Sequence, residues 1–400
     1  MDWSPQQSNA LKAVADWYRH RRHEQQVFRL FGYAGTGKTT LARHLAEGVG
    51  GPVLFGAFTG KAALVLRRSG CPNASTIHSM IYHPRERGQD RLRLIAEQLE
   101  HLRSQGIPEH DARIQRLLRE ERAEQQQLKR PAFTLNLESQ VRNAALVVID
   151  ECSMVDSEMG HDLLSFGTPI LVLGDPAQLP PVRGGGFFTQ GEPDVMLTEI
   201  HRQARDNPII ELATRVRTGH RLQPGRYGDS EVALRRTSPD EALAHDQILV
   251  GMNRTRKSIN RRVRTLQGRE GDWPLAGERL VCLRNDRELG LLNGMICEAV
   301  EDYEDNGDCV NLVVRAEEGE TVAVAAHKEC FWGDPERIPY FERRQAHEFD
   351  YGYALTVHKS QGSQWGSVMV FDEWPRPETW QRWMYTAITR AQDRVTIIRS

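Results

Sequence analysis

The feature that most constrains this chain is Gly32-Tyr33-Ala34-Gly35-Thr36-Gly37-Lys38-Thr39. An apolar run over residues 27–31 enters it, and a helical apolar pattern through Leu41 and Leu45 leaves it. The spacing G-x-x-x-x-G-K-[ST] between a strand and a helix predicts a phosphate-cradling loop. Its glycines let backbone N–H groups close around phosphate oxygens, and the following helix N-terminus favours negative charge. Lys38 then serves as a point charge for the β- and γ-phosphates, and Thr39 as a hydroxyl ligand for Mg²⁺. Gly35, Thr36, Gly37 and Thr40 complete the expected ATP contacts. Further buried strands at residues 53–57, 145–149 and 169–173 alternate with helical patterns, and each ends in polar residues. That pattern predicts a parallel α/β sheet with its site at the strands' C-terminal ends.

Val147-Val148-Ile149-Asp150-Glu151 delivers two adjacent carboxylates to that sheet edge. Downstream of a phosphate loop, Asp150 is expected to hold the Mg²⁺ shell and Glu151 to activate the attacking water. By itself such a pair more often marks a helix start. Together the two motifs predict nucleotide hydrolysis without saying what it drives.

Composition narrows the field. The 52 basic residues nearly balance 54 acidic ones, which excludes a histone-like carpet of charge but leaves room for a local basic track. Only seven of the basic residues are Lys, and Lys38, Lys61 and Lys359 all fall inside motifs, where a compact ammonium suits a phosphate. The six Cys form no CxxC pair, so neither a zinc site nor a disulfide framework is expected, and a reducing compartment is. The N-terminal stretch lacks the pattern of a signal peptide, and no apolar run approaches the roughly 18 residues of a membrane span. The expectation is a soluble protein of the cytoplasm, in a bacterial or phage-infected cell.

Two segments differ in texture. Residues 84–130 are rich in Arg, Glu and Gln, with Leu92, Ile95, Leu99 and Leu102 at helical spacing. Gly106-Ile107-Pro108 breaks this run, and Ile114, Leu117 and Leu118 resume it, which predicts an inserted helical hairpin or a solvated surface arm. Residues 275–340 carry short β-type runs separated by Asn-Gly and Glu-Gly turn signals, which predicts a small antiparallel barrel. Residues 200–270 and 345–400 return to α/β patterns, so the barrel reads as an insertion in a second α/β domain.

The remaining blocks are Thr59-Gly60-Lys61, Thr76-Ile77-His78, Gly174-Asp175-Pro176-Ala177-Gln178-Leu179-Pro180-Pro181, Ile200-His201-Arg202-Gln203, Thr356-Val357-His358-Lys359-Ser360-Gln361-Gly362 and Tyr385-Thr386-Ala387-Ile388-Thr389-Arg390. In order and identity they resemble superfamily 1 DNA helicases, and most of all the RecD-like and phage Dda-like branch, group 1B. The resemblance runs from about Trp3 to the end, leaving out the charged arm. It implies two RecA-like P-loop domains, with a helical and pin insertion in the first and an SH3-like β-barrel in the second. The implied bounds are 1–82 and 141–198 for the first domain, 83–140 for its arm and pin, 199–272 and 345–400 for the second, and 273–344 for the barrel.

The resemblance also implies roles. Gln7 stands where the family reads adenine, an edge that suits an amide able to donate and accept; a solvated helix-start glutamine is the plain alternative. Gln178 is similar to the γ-phosphate and water sensor. Arg202 and Arg390 match the two arginine fingers, whose planar forks spread charge over a transferring phosphoryl group; an interdomain salt bridge is the other use. Thr59, Lys61, Thr76, His78, Thr356, His358 and Lys359 fall in blocks that line the strand groove, although either His also suits a hydrogen-bonded core. Asn293 resembles the entry to the barrel, where its Asn-Gly turn alone would explain it. Phe133 is the candidate pin residue stacking on the last base pair, or else a buried anchor for the arm. Gln364 replaces a Glu more often found at the ribose contact. The implied activity is ATP- and Mg²⁺-dependent translocation on single-stranded DNA, 5′ to 3′, with unwinding at single-strand/duplex junctions, by a monomer that meets replication or repair proteins. A translocase that mainly strips bound protein, or an RNA helicase, stands as the alternative.

Overall fold

The computed structural model describes residues 3–84, 87–108, 110–128, 133–180, 185–199, 207–286, 288–317, 319–335, 338, 343 and 345–399. The first part of the chain begins with helix α1 (Pro5–Asp16), which starts at a capping box. Ser4 Oγ accepts the Gln7 N–H while Gln7 Oε1 accepts the Ser4 N–H. Strand β1 (Val27–Gly32) runs into helix α2 (Lys38–Glu47), followed by β2 (Val53–Ala57), α3 (Gly60–Arg68), β3 (Ser75–Thr76) and α4 (Ile77–Ile81). After an excursion through β4 (Tyr82–Pro84), α5 (Arg87–Ser104), α6 (Ala112–Leu128) and β5 (Phe133–Leu135), the chain returns with β6 (Leu146–Asp150), α7 (Ser157–Leu164), β7 (Ile170–Gly174) and β8 (Val195–Leu197). The sheet order is β3-β2-β6-β7-β1-β8, with every pair parallel. Its strands are buried because helices cover both faces, which is why they read as continuous Val, Ile and Leu rather than alternating.

The excursion is a helical hairpin standing on a two-stranded base. Ile95 and Leu99 of α5 meet Ile114 of α6 in a small core of their own, with Leu102, Ile107, Leu117 and Leu118 packed around it; the Leu92 side chain lies outside the described ones. At the base, β4 pairs antiparallel with β5, Tyr82 opposite Leu135 and Pro84 opposite Phe133.

The second lobe contributes α8 (Pro208–Arg217), β9 (Gly225–Tyr227), β10 (Ser230–Ala233), α9 (Pro239–Leu243), β11 (Gln247–Val250) and α10 (Asn253–Leu266) before an antiparallel unit intervenes. That unit holds β12 (Arg279–Cys282), β13 (Ile296–Ala299), β14 (Glu304–Asn306), β15 (Cys309–Ala316), β16 (Thr321–His327), the short α11 (Glu329–Trp332) and β17 (Phe349–Tyr351). They form a curled sheet, β14-β15-β13-β12-β17, with β16 on β15. The lobe then closes with β18 (Ala354–Thr356), β19 (Trp365–Phe371), α12 (Pro377–Ile388) and β20 (Ala391–Ile398) in the order β18-β11-β19-β20-β10-β9, parallel except for the β9 edge. The architecture is thus two parallel RecA-like sheets with an SH3-like insertion.

Helix α10 ties that insertion to the second lobe through buried charge. Arg256 pairs with Asp350, and Arg264 reaches both oxygens of Glu278 at 2.8 and 3.0 Å. Between them, Asn260 donates to Tyr351 O at 2.9 Å and accepts from Ala354 N at 2.7 Å. These groups are satisfied only in this register, so the helix fixes the insertion's orientation.

Candidate active site

The nucleotide loop is built by the end of β1 and the start of α2. A Cβ on Gly32 would lie 2.6 Å from Thr36 Oγ1 and 2.8 Å from Leu197 Cβ, so the first position admits only glycine. Gly35 and Gly37 hold φ of 77° and 79°, the left-handed region where a side chain is strained. Thr36 is buried and its hydroxyl donates to Tyr33 O at 2.8 Å, closing the loop. Lys38 folds back over it and donates to Gly32 O at 2.7 Å and Tyr33 O at 3.1 Å. Thr40 follows in the first turn of α2.

Thr39 Oγ1 donates to Asp150 Oδ2 at 2.8 Å, so the loop meets the C-terminal end of β6 directly. Burial and the neighbouring Glu151 charge push the Asp150 pKa up, opposed by the Thr39 hydrogen bond. A hydroxyl and a buried carboxylate, with the Lys38 charge nearby, make a hard-oxygen donor set that suits Mg²⁺. Glu151 sits at φ 51°, ψ 43°, one of two non-glycine residues at positive φ among the described residues. Its N–H still bonds Asp150 Oδ1 at 2.8 Å. Strain of this kind marks functional positions, because surrounding structure must hold it.

The turn after β7 brings in the third element. Asp175 is buried, and its Oδ1 accepts the Ala177 N–H at 3.0 Å. Gln178 is 7% exposed, and its Oε1 has no hydrogen-bond partner among the described residues. A buried carbonyl in that condition is uncommon, and this oxygen keeps its capacity to accept a hydrogen bond. Gln7 is also buried, but its amide is turned onto the protein. Nε2 donates to Thr36 O at 3.1 Å, so it braces the loop from α1.

The second lobe contacts this loop at several points. Tyr385 Oη accepts the Ala34 N–H at 3.0 Å and donates to Asp175 Oδ2 at 2.6 Å. The Arg217 guanidinium lies 3.6 Å from the Tyr33 ring centroid. Arg390 is 3% exposed and donates to Thr386 O and Ser363 O, each at 3.2 Å, inside its own lobe. Residues 200–206, Arg202 among them, lie outside the described residues, as do residues 129–132 before β5. Gln364 is exposed, and its Oε1 accepts from Gln392 at 3.3 Å.

A cavity of about 650 Å³ opens between the lobes and the curled sheet, bordered by Thr59, Lys61, Asn293, His358 and Lys359. It brings five of the expected strand residues together from three parts of the fold. Lys61 is nearly buried, paired with Glu317 at 2.9 Å and 5.0 Å from the Trp365 ring. Lys359 is open to the cavity, but the protein around it lowers its pKa by burial, with Arg256 adding repulsion. His358 is shifted down by burial and by Arg376, and its ring lies 5.3 Å from Trp374. Thr59 and Thr76 are helix caps, accepting from Ala62 N at 3.1 Å and Ser79 N at 3.2 Å. Thr356 accepts from Lys359 N at 3.4 Å, a loose bond within its own loop.

His78 stands apart from that cavity, in an aromatic group with Phe58, Tyr82 and Phe133 at 5.7–6.0 Å. Burial lowers its pKa, opposed by Asp156. Phe133 is 48% exposed on the base of the helical arm, so its ring is available at the surface rather than sunk as an anchor.

A family model described as an AAA domain matches residues 3–232, more than half of the chain. The chain belongs to this family. A second model, a UvrD-like helicase C-terminal domain, matches residues 351–398, which adds the final strands of the second lobe. The RecD2 DNA helicase of Deinococcus radiodurans is 29% identical over 282 residues, 62% of this chain and 35% of that protein. The conjugal transfer protein TraA of Rhizobium radiobacter is 27% identical over 267 residues, 56% of this chain and 22% of that one. The AAA-domain chain therefore spans about a third or less of the curated relatives it matches. Its fold is that of a Bacteroides Pif1 helicase solved with ADP-AlF3 and single-stranded DNA, with a TM-score of 0.55 at 18% identity, over 99% of this chain and 92% of the other. Pif1 of Candida albicans gives 0.52 at 18% identity over 100% and 94%. Beyond that family, the chain is similar in sequence to a RecD2 DNA helicase and in fold to Pif1 helicases.

Within this family member, sequence reasoning left several contacts unassigned. Tyr385, Thr386 and Gln361 lie inside blocks quoted for other residues, and position in a motif was the only available signal. Arg217, Phe58 and Trp374 carry no local signature at all.

Proposed function

We propose that this chain is an ATP-dependent DNA helicase motor that moves on single-stranded DNA, 5′ to 3′, and parts duplex at the junction ahead. One observation carries the reading: the loop that holds Lys38 bonds to Asp150 beside Glu151, and both that loop and the turn carrying Gln178 are contacted by the second lobe. A groove of polar side chains from both lobes lies beside it.

In this reading the phosphates of ATP displace the Gly32 and Tyr33 carbonyls from Lys38. Glu151 accepts the proton of the attacking water, and Gln178 Oε1 orients that water by accepting its other hydrogen. Thr39 and Asp150 would hold Mg²⁺, which would supply charge neutralisation to the phosphates. Arg390 exchanges its carbonyl partners for the phosphoryl group, and Arg202 approaches from the same lobe. Gln7 keeps the loop in shape from below, with its second amide hydrogen and lone pair free for a base. Closing and opening of the cleft shift the grip of Thr59, Lys61, Thr356, His358 and Lys359 on the strand, whose backbone they meet without reading sequence. Phe133, with His78 behind it, stacks on the last base pair, and Asn293 guards the entry at the curled sheet.

We assign residues 1–82 and 141–198 to the first motor domain, 83–140 to the arm and pin, 199–272 and 345–400 to the second, and 273–344 to the insertion. Polarity and a cytoplasmic site of action follow the family resemblance. Among the described residues no helix is long and apolar enough to cross a membrane.

The test is strand displacement on matched 5′-tailed and 3′-tailed duplexes with ATP and Mg²⁺. Displacement on the 5′-tailed substrate alone is expected, with ATPase stimulated more by DNA than by RNA oligonucleotides. ATPase stimulated by DNA without displacement on either substrate would instead indicate a translocase that strips protein.

A further inference from the structure

We propose that Tyr385 is a positioning residue that couples closure of the cleft to hydrolysis, by holding the nucleotide loop and the Asp175–Gln178 turn in register from the opposite lobe; this rests on the ATPase reading above. Its hydroxyl is used twice. It accepts the Ala34 N–H at 3.0 Å and donates to Asp175 Oδ2 at 2.6 Å. Asp175 passes that constraint on, since its other oxygen holds the Ala177 N–H at 3.0 Å and its carbonyl accepts the Gln178 N–H at 3.1 Å. The chain of bonds therefore ends on the backbone of Gln178, whose side-chain Oε1 has no partner among the described residues and is the atom expected to orient water.

The next two contacts make the link mechanical. Thr386, one residue on in α12, accepts the Leu179 N–H at 2.9 Å, and Gln361 donates to Leu179 O at 2.9 Å. Both backbone groups of Leu179 are therefore satisfied by the second lobe. Opening the cleft breaks all of these bonds together and releases the turn that carries Gln178. The Arg217 guanidinium on the Tyr33 ring adds a second touch beside Ala34.

A purely structural tyrosine would need only its ring here. Tyr385 is 1% exposed and lies in the second lobe's main apolar cluster, where a phenylalanine would pack as well. Burial raises its pKa, followed by the Asp175 charge, so the hydroxyl remains a donor across the working range. What phenylalanine lacks is the link between two parts of the other lobe.

The experiment compares Tyr385→Phe with the unaltered chain in steady-state ATPase at saturating single-stranded DNA, together with binding of a fluorescent ATP analogue. Loss of both hydroxyl bonds, of which the one to the Asp175 carboxylate is the stronger, predicts kcat lower by about 10- to 100-fold. KM and analogue affinity should stay within about two-fold, because the phosphate contacts are intact. Asp175→Asn should show the same split, and the double variant should be no slower than the slower single one. Thr386→Val, which removes the Leu179 contact, supplies the same test if Tyr385→Phe does not fold. A kcat within about two-fold of the unaltered chain, or losses that multiply in the double variant, overturns the coupling. An unaltered chain without DNA-stimulated ATPase overturns the motor reading itself, and the coupling with it.

Discussion

Glu151 is held in the left-handed region at φ 51°, ψ 43°, and this makes an opposed effect on stability and activity predictable. For an L-residue that conformation costs about 1–2 kcal/mol, and glycine avoids it. Glycine also gains unfolded-chain entropy, which offsets about 0.4–1 kcal/mol of the relief. Glu151→Gly should therefore be more stable than Glu151→Ala by up to about 1.6 kcal/mol, and by about 0.8 kcal/mol at the middle of these ranges. Both variants keep the backbone N–H that bonds Asp150 Oδ1 at 2.8 Å, so the comparison isolates the strain. At about 2–4 °C per kcal/mol for a unit of this size, that middle value is about 2–3 °C in Tm. Thermal unfolding followed by calorimetry reads it. Both variants lack the carboxylate and should lose ATPase by about 100-fold or more. A glycine variant no more stable than the alanine one would show that no strain is stored at residue 151. A glycine variant that kept its ATPase would remove Glu151 from the chemistry.

Four further outcomes are expected. Phe133→Ala should abolish strand displacement and leave DNA-stimulated ATPase near its original rate, whereas Lys38→Ala should remove hydrolysis with single-stranded DNA binding retained; equal loss of both activities in Phe133→Ala would take it out of the pin. Glu317→Gln frees the Lys61 ammonium from its 2.9 Å partner and should tighten single-stranded DNA binding, with a salt dependence steeper by about 0.7 in log–log slope; an unchanged slope measured by fluorescence anisotropy would put Lys61 outside the track. His245 has its pKa lowered by burial, opposed by its bond to Glu241 O, with Arg394 lowering it further and Asp246 raising it. The native state thus binds fewer protons than the unfolded state, and the His245 contribution is present above the ordinary value of 6.5 and lost as pH falls below it. The drop in urea midpoint from pH 7.5 to 5.5 should be smaller in His245→Gln, and an equal drop would refute the assignment.

How far the site was legible follows from the distance between its parts in the chain. Lys38, Thr39 and the glycines act within one strand–turn–helix, so local spacing reveals them. Asp150 and Glu151 sit at the end of a buried strand, and the apolar run announces where that end is. Thr59 and Thr76 were legible in chemistry but also serve as helix caps, a use their position just before helical patterns already allowed. The Tyr385–Asp175 bond joins residues 210 positions apart, and no local pattern encodes it. Gln7 shows the same limit: its place in Ser4-Pro5-Gln6-Gln7 signals a helix start, while its bond to Thr36 O depends on how α1 packs on the loop.

Helix α10 draws the line most plainly. Its sequence, Asn-Arg-Thr-Arg-Lys-Ser-Ile-Asn-Arg-Arg-Val-Arg-Thr-Leu, has the composition of a solvated basic helix or a nucleic-acid-facing one. In the fold Arg256, Asn260 and Arg264 are buried, because Asp350, Tyr351 and Glu278 of the curled sheet satisfy them. Sequence by itself determined the sheets, the nucleotide loop and the order of the motor motifs, since those rest on periodicities and spacings within single elements. Which charges are buried, which hydroxyl links the two lobes and which lysine already has a carboxylate partner were decided only by tertiary structure. A polar group can be buried only where a partner is delivered to it, and here the partners come from elsewhere in the chain.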